Sequence, residues 1–247
     1  MKNLVLADVI RILRKPTYRI SMGIVLLMSL VWAVHTKMNV WNGFSYTAEQ
    51  ADAIGITELL LGIMIYLTVY ADEFSSNSMQ CLIGRGISRF KLLAAKCIDC
   101  GIITAVSFGV YTIWVLLLGL VLGAHMNGTE AVFLCTQFLV AGVKTFGFAT
   151  LAMIVLYATK NVSYATVANV LLIVASDLFL AGFHKIPGIK FMHWDNKIFS
   201  GAVECAGIDL QLSGGGALAT ILWDLGKVVV VSLLLSYLFF RRKELDF

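Results

Sequence analysis

Charge is scarce in this chain. Asp, Glu, Lys and Arg make up 14% of its 247 residues, while hydrophobic residues reach 59%. An ordinary soluble domain carries about a quarter charged residues, and a mean hydropathy of +0.86 excludes that class. Proline is nearly absent, with Pro16 and Pro187 the only two, so the long apolar stretches read as helices without proline kinks. The five cysteines make no disulfide framework, because on the topology derived below only Cys205 faces an oxidising side. Cys97-Ile-Asp-Cys100 spells C-x-x-C without a second pair and reads as two small buried residues. The G-x-x-x-x-G-K-[ST], H-E-x-x-H and G-x-S-x-G motifs are also missing. The run Gly214–Gly216 lacks the lysine and the strand–helix setting of a phosphate loop. No catalytic residue, no metal and no cofactor is expected on this chain.

What is present is apolar sequence in span-length blocks. A membrane-crossing helix needs roughly 20 mostly apolar residues. Six stretches qualify: Tyr18–His35, Ala53–Ala71, Cys97–Gly123, Ala131–Thr159, Val162–Phe183 and Ala217–Phe240. The expected fold class is therefore an all-α polytopic membrane protein, with residues 1–247 forming a single transmembrane domain. Lys2, Arg11, Arg14, Lys15, Arg19, Arg85, Arg89, Lys91, Lys96, Lys160, Arg241, Arg242 and Lys243 fall on one side of these spans. Only Lys37, Lys185, Lys190 and Lys197 fall on the other. The positive-inside rule then places both termini in the cytoplasm. The net charge of +4 is a signal of topology and anionic lipid, with no nucleic-acid partner expected. No cleavable signal peptide is expected, since the first apolar run is span-length and has no A-x-A-like site.

Three segments lie outside the spans. Residues 1–16 predict an amphipathic interfacial helix: Leu4, Val5, Leu6, Val9, Ile10, Ile12 and Leu13 cover an apolar arc, and Asp8, Arg11, Arg14 and Lys15 fill the other side. Residues 72–96 form a cytoplasmic loop in which Gly84 and Gly86 interrupt any helix and Ser88 is placed as an N-cap. Beyond Ser88, Phe90, Leu93, Ala94 and Cys97 share one face, and Arg89 and Lys96 lie about 20° apart on another. Such a helix is either a solvated basic element or a docking helix. Residues 183–216 contain His184, Phe191, His193 and Trp194, then an apolar run from Ile198 to Leu212 that is too short to span. They read as an extracellular re-entrant segment between spans five and six. The two histidines have no carboxylate or cysteine at ligand spacing, so no metal is expected there.

Glu58, Lys144, Asp177, Asp224 and Lys227 fall inside predicted spans. Each costs about 2.5–3.5 kcal/mol at a helix centre, so such groups face the protein interior and pair. Asp224 and Lys227 stand at i, i+3 and are positioned to satisfy each other. Lys144 has no partner on its own helix and needs a carboxylate from elsewhere or a water-filled cavity. A structural ion pair and the wall of a translocation cavity both fit.

The loop runs Glu73-Phe74, Ser75, Ser76, Asn77, Ser78, then Leu82, Ser88-Arg89 and Lys96. With six spans, an N-terminal interfacial helix and a long segment between spans five and six, this pattern resembles the ABC-2-type permease subunits of bacterial ABC exporters. Asn77 replaces the usual glycine, and Gly86 replaces the usual proline of the P-I-S-R segment. The resemblance implies a multi-pass protein of the bacterial plasma membrane that works with two cytoplasmic ABC ATPase subunits. A second permease copy, identical or different, completes the complex. ATP and Mg would sit on the ATPase. Glu73, Phe74, Ser88, Arg89, Lys91 and Lys96, with Arg11 and Arg14 of the first helix, would make the coupling contact. The implied cargo is hydrophobic or amphipathic, in particular a peptide toxin or antimicrobial, with drug or ion efflux still open. The rival classes are a secondary transporter, which would show internal repeats and broken helices, and a non-catalytic membrane scaffold.

Overall fold

The computed structural model describes residues 2–39, 42–71, 84, 86–185, 198–213 and 216–242, and the regular structure among them is helical. In chain order the helices are α1 (Lys2–Arg14), α2 (Pro16–Asn39), α3 (Gly43–Asp52) and α4 (Ile54–Tyr66), the last continuing as a π turn over Leu67–Ala71. They are followed by α5 (Arg89–Leu122), α6 (Gly128–Thr159), α7 (Val162–Lys185), α8 (Phe199–Ser213) and α9 (Gly216–Arg242). Five stretches are long and apolar enough to cross a membrane: Pro16–Met38, Ile54–Ala71, Arg89–Leu122, Gly128–Thr159 and Gly216–Arg241. Val162–Ser176 adds a shorter apolar helical stretch. The chain is a helical, membrane-embedded protein.

α6 is the central helix. In its most apolar stretch 61% is buried in the protein, against 11% for α9. Small residues allow this enclosure. Gly142 lies where an added Cβ would come 3.3 Å from the Phe108 ring of α5, and at Gly147 it would come 2.2 Å from the Phe199 ring of α8. Backbone approach at these points lets two neighbouring helices close onto α6, as small residues do in membrane interiors. Tyr111 of α5 meets Phe138 of α6 edge-on, with centroids 5.2 Å apart, and its hydroxyl bonds to that of Thr57 on α4 at 3.1 Å.

The turns follow local chemistry. Gly123 ends α5 in the left-handed region at φ 79°, where a residue without Cβ is favoured. The Asn127 backbone N–H donates to Glu130 Oε2 at 2.8 Å and so opens α6. Pro16 stands at the first position of α2, where its missing N–H costs nothing. α3 was not expected from the apolar pattern. It is started by a reciprocal cap in which Ser45 N donates to Asn42 Oδ1 at 2.6 Å and Asn42 N donates to Ser45 Oγ at 3.1 Å. Its Tyr46 is buried and donates its hydroxyl to the Val115 carbonyl at 2.7 Å, and that burial raises the phenol's pKa above the ordinary tyrosine value.

α8 occupies the apolar run that the sequence marks as too short to span. Its 15 residues reach about 22 Å, less than the roughly 30 Å of a hydrocarbon core. Val203 and Ala206 bury one face of α8 with Val140 of α6 and Ile221 of α9.

Candidate functional site

Two polar constellations stand out in an otherwise apolar bundle. One lies where α1 meets the start of α5, and the other lies between α4, α6 and α8.

At the first, α5 begins at Arg89 after Ser88, whose extended backbone makes it the N-cap residue, with no side-chain cap hydrogen bond. From there the helix runs without a break to Leu122. Ser88, Phe90 and Lys91 are exposed. Lys96 is not, and this corrects its expected place on a docking face. It is fully buried, with Nζ 2.6 Å from Asp8 Oδ2 of α1 and 3.3 Å from Asp99 Oδ2 one turn along α5. One ammonium between two carboxylates fixes α1 against α5, while Arg11 closes the outer edge of Asp8 at 3.2 Å and remains half-exposed. α1 is therefore docked through its Val9 and Ile12 face, with Leu6 and Ile10 left outward. Arg14 is exposed, whereas the Lys15 ammonium donates to the Thr68 carbonyl in the π turn at 3.3 Å. Arg89 is also engaged. Its Nη1 donates to the Phe240 carbonyl near the end of α9 at 2.9 Å, and its guanidinium carbon lies 5.5 Å from the centre of the Phe240 ring. A cation at a helix C-terminus satisfies an orphan carbonyl and the helix dipole together. Glu73 and Phe74 lie outside the described residues.

The second constellation is a cavity of about 210 Å³ lined by Glu58 of α4, Gln137 and Lys144 of α6 and Glu204 of α8. Lys144 Nζ stands 2.6 Å from Glu204 Oε1 and 3.5 Å from Glu58 Oε2. The lysine and Glu58 side chains are 7% and 3% exposed, and that of Glu204 is 42% exposed. Glu58 and Lys144 thus form the floor and Glu204 the mouth. The partner that Lys144 required does come from elsewhere in the fold, and one of the two was not singled out from the sequence. Glu204 sits in a run read only as apolar. Its signal was the cost of a carboxylate in such a helix, which demands a cation at the same depth.

The remaining candidates do not join this cavity. Asp224 and Lys227 pair with each other at 2.5 Å along α9, with Lys227 57% exposed, and neither lines the cavity. The side chain of Asp177 lies outside the described residues, as do Cys81, His184 and His193. Cys97 and Cys100 are buried, and among the described residues no cluster of His, Cys, Asp or Glu is arranged to hold a metal. Comparison with protein-family models and with curated proteins returns no match to this chain.

Proposed function

We propose that this chain is the membrane-spanning permease subunit of an ATP-driven ABC exporter of the ABC-2 type. The observation that supports this reading most is α5. The basic segment after Ser88 and the helix that enters the apolar core are one continuous 34-residue element, so a push at its first turn is carried through the bundle as a rigid-body motion. In this reading six helices cross the bacterial plasma membrane with both termini in the cytoplasm, and α8 enters from the outside and does not cross. The coupling surface consists of the exposed Ser88, Phe90 and Lys91 with Arg11 and Arg14 of α1. Glu73 and Phe74 belong to the same surface by resemblance alone.

The ATPase subunits, two per complex, bind ATP and Mg and drive the cycle, and a second permease copy faces this one across the transport path. Lys96 and Arg89 serve the surface from behind, by holding α1 and α9 to the driven helix. The cargo in this reading is hydrophobic or amphipathic, a peptide toxin or antimicrobial before a drug or an ion.

Gentle purification from the native membrane tests the assignment. A stoichiometric soluble ATPase with vanadate-sensitive turnover is the expected result. A chain that isolates alone, without ATP hydrolysis, overturns the assignment and favours a secondary carrier or a scaffold.

A further inference from the structure

We propose that the recess between α5 and α6 is a binding site for one hydrocarbon chain, the acyl chain of a bilayer phospholipid. Its volume is about 650 Å³, within the range of small-molecule sites. Both helices that wall it are long and apolar enough to cross a membrane. They touch through glycine. A Cβ added at Gly101 would come 3.2 Å from Cζ of Phe146, and one added at Gly142 would come 3.3 Å from Cγ of Phe108. Beside this line of contact, small residues leave a slot. Ala105 and Gly109 lie exposed along it on α5, and a Cβ added at Gly109 would meet no atom within 4 Å.

The chemistry of the walls selects the occupant. Among the described residues the lining includes no Asp, Glu, His, Lys or Arg, so it offers nothing to a charged solute. The hydroxyls of Thr104 and Thr112 donate within their own helix, to the carbonyls of Cys100 at 2.8 Å and Phe108 at 2.7 Å. A held water needs about two to four polar partners, and these walls do not supply them. Hydrocarbon is the matching chemistry, because it gains dispersion contacts along both helices. Location supplies that hydrocarbon. At its rim the recess runs into the exposed apolar face of Ile113, Leu117 and Leu139, the face that a membrane-embedded chain turns to lipid. The dimensions agree. The α5 wall from Gly101 to Leu116 is about 22 Å long, and the α6 wall from Cys135 to Phe146 is about 16 Å. One leaflet fills about 15 Å, half of a hydrocarbon core of roughly 30 Å. This inference does not rest on the permease reading, since occupancy is measured on the chain alone.

The test is native mass spectrometry of the full-length chain released from nanodiscs of phosphatidylcholine, repeated with phosphatidylglycerol of the same acyl chains. One phospholipid per chain is expected to survive the activation that strips the others, alike for both headgroups. Gly109→Leu puts a side chain into the slot and is expected to lose that lipid. Gly23→Leu of α2, where an added Cβ also meets no atom within 4 Å but does not line the recess, keeps it. Melting temperature checks that both variants fold, and should Gly109→Leu not fold, Ala105→Leu on the same wall decides. Absence of a retained lipid, retention with phosphatidylglycerol alone, or undiminished retention in the plugged variant overturns the proposal. A lipid-free dimer that Gly109→Leu converts to monomer also overturns it, because a second copy then covers the slot.

Discussion

The Lys96 ammonium lies 2.6 Å from Asp8 Oδ2, joining the first helix of the chain to the helix 88 residues further on. No part of the lysine side chain is exposed, and Asp99, its second partner, is equally buried. Neither α1 nor α5 has this arrangement alone. The lysine is therefore a clamp that ties α1 to α5.

Removing that clamp takes the shared cation from Asp99 and from Asp8, which keeps Arg11. Lys96→Met is expected to cost about 3–5 kcal/mol, the range for breaking a buried ion pair from one side. Asp8→Asn is expected to cost less, because Lys96 keeps Asp99 and the Asp8 side chain is 14% exposed. Thermal unfolding of the purified variants in detergent measures both. Wild-type melting in Lys96→Met would remove the clamp from the account.

Arg89 gives a local effect. Arg89→Ala is expected to lose about 1 kcal/mol, from the helix-terminal cation and the hydrogen bond to the Phe240 carbonyl. Amide exchange should then quicken over the last turn of α9 and stay unchanged in α6. Uniform acceleration through the bundle would show that the contact is not local.

Lys91, by contrast, is exposed. On the permease reading Lys91→Glu weakens capture of the ATPase and leaves the melting temperature within the small range usual for surface changes, about 0.5 kcal/mol. Undiminished capture would take Lys91 out of the coupling surface.

Gly147 tests how α8 is seated. An alanine Cβ there would stand 2.2 Å from Cε1 and 2.3 Å from Cζ of Phe199, so the ring or the helix must shift. Overpacking of this kind costs about 1–3 kcal/mol. The companion change Phe199→Leu should recover part of the loss in the same melting assay. A fully tolerated alanine would mean that α8 is loosely held.

The ion triad is best read as a cycle. Lys144→Met takes one ammonium from two carboxylates and should destabilise the fold by about 3–5 kcal/mol. Adding Glu58→Gln removes the more deeply buried of them, so the double variant should melt above the single one. Coupling near zero between these positions, whose charged atoms are 3.5 Å apart, would deny them a shared ion pair.

Much of this protein is written in one dimension. Long apolar blocks with few charges determine a helical membrane protein, because backbone polar groups inside a bilayer must be satisfied within the segment. Ser88, set just after Gly84 and Gly86, marks the start of α5 within a residue. The short apolar run after Ile198 announces a helix that cannot cross. The Asp224–Lys227 pair is local, so its spacing alone predicts it. α3 was legible in principle, through the Asn42–Ser45 cap, but its 10 residues carry too weak an apolar pattern to be seen beside span-length neighbours.

Only tertiary structure decided which polar groups meet. Periodicity puts Arg89 and Lys96 on one side of a helix. It cannot say whether that side faces water or a neighbouring helix, and here α1 and the end of α9 cover it. Lys144 requires a carboxylate on energetic grounds, yet Glu58 lies 86 residues before it and Glu204 lies 60 after. Partners that far apart are chosen by how α4, α6 and α8 pack, through small residues such as Gly147 that set the approach of whole helices. Local sequence determines the elements because helices satisfy their own backbones. The charged groups that meet across helices, as Lys96 meets Asp8 and Lys144 meets Glu58 and Glu204, are chosen by the fold.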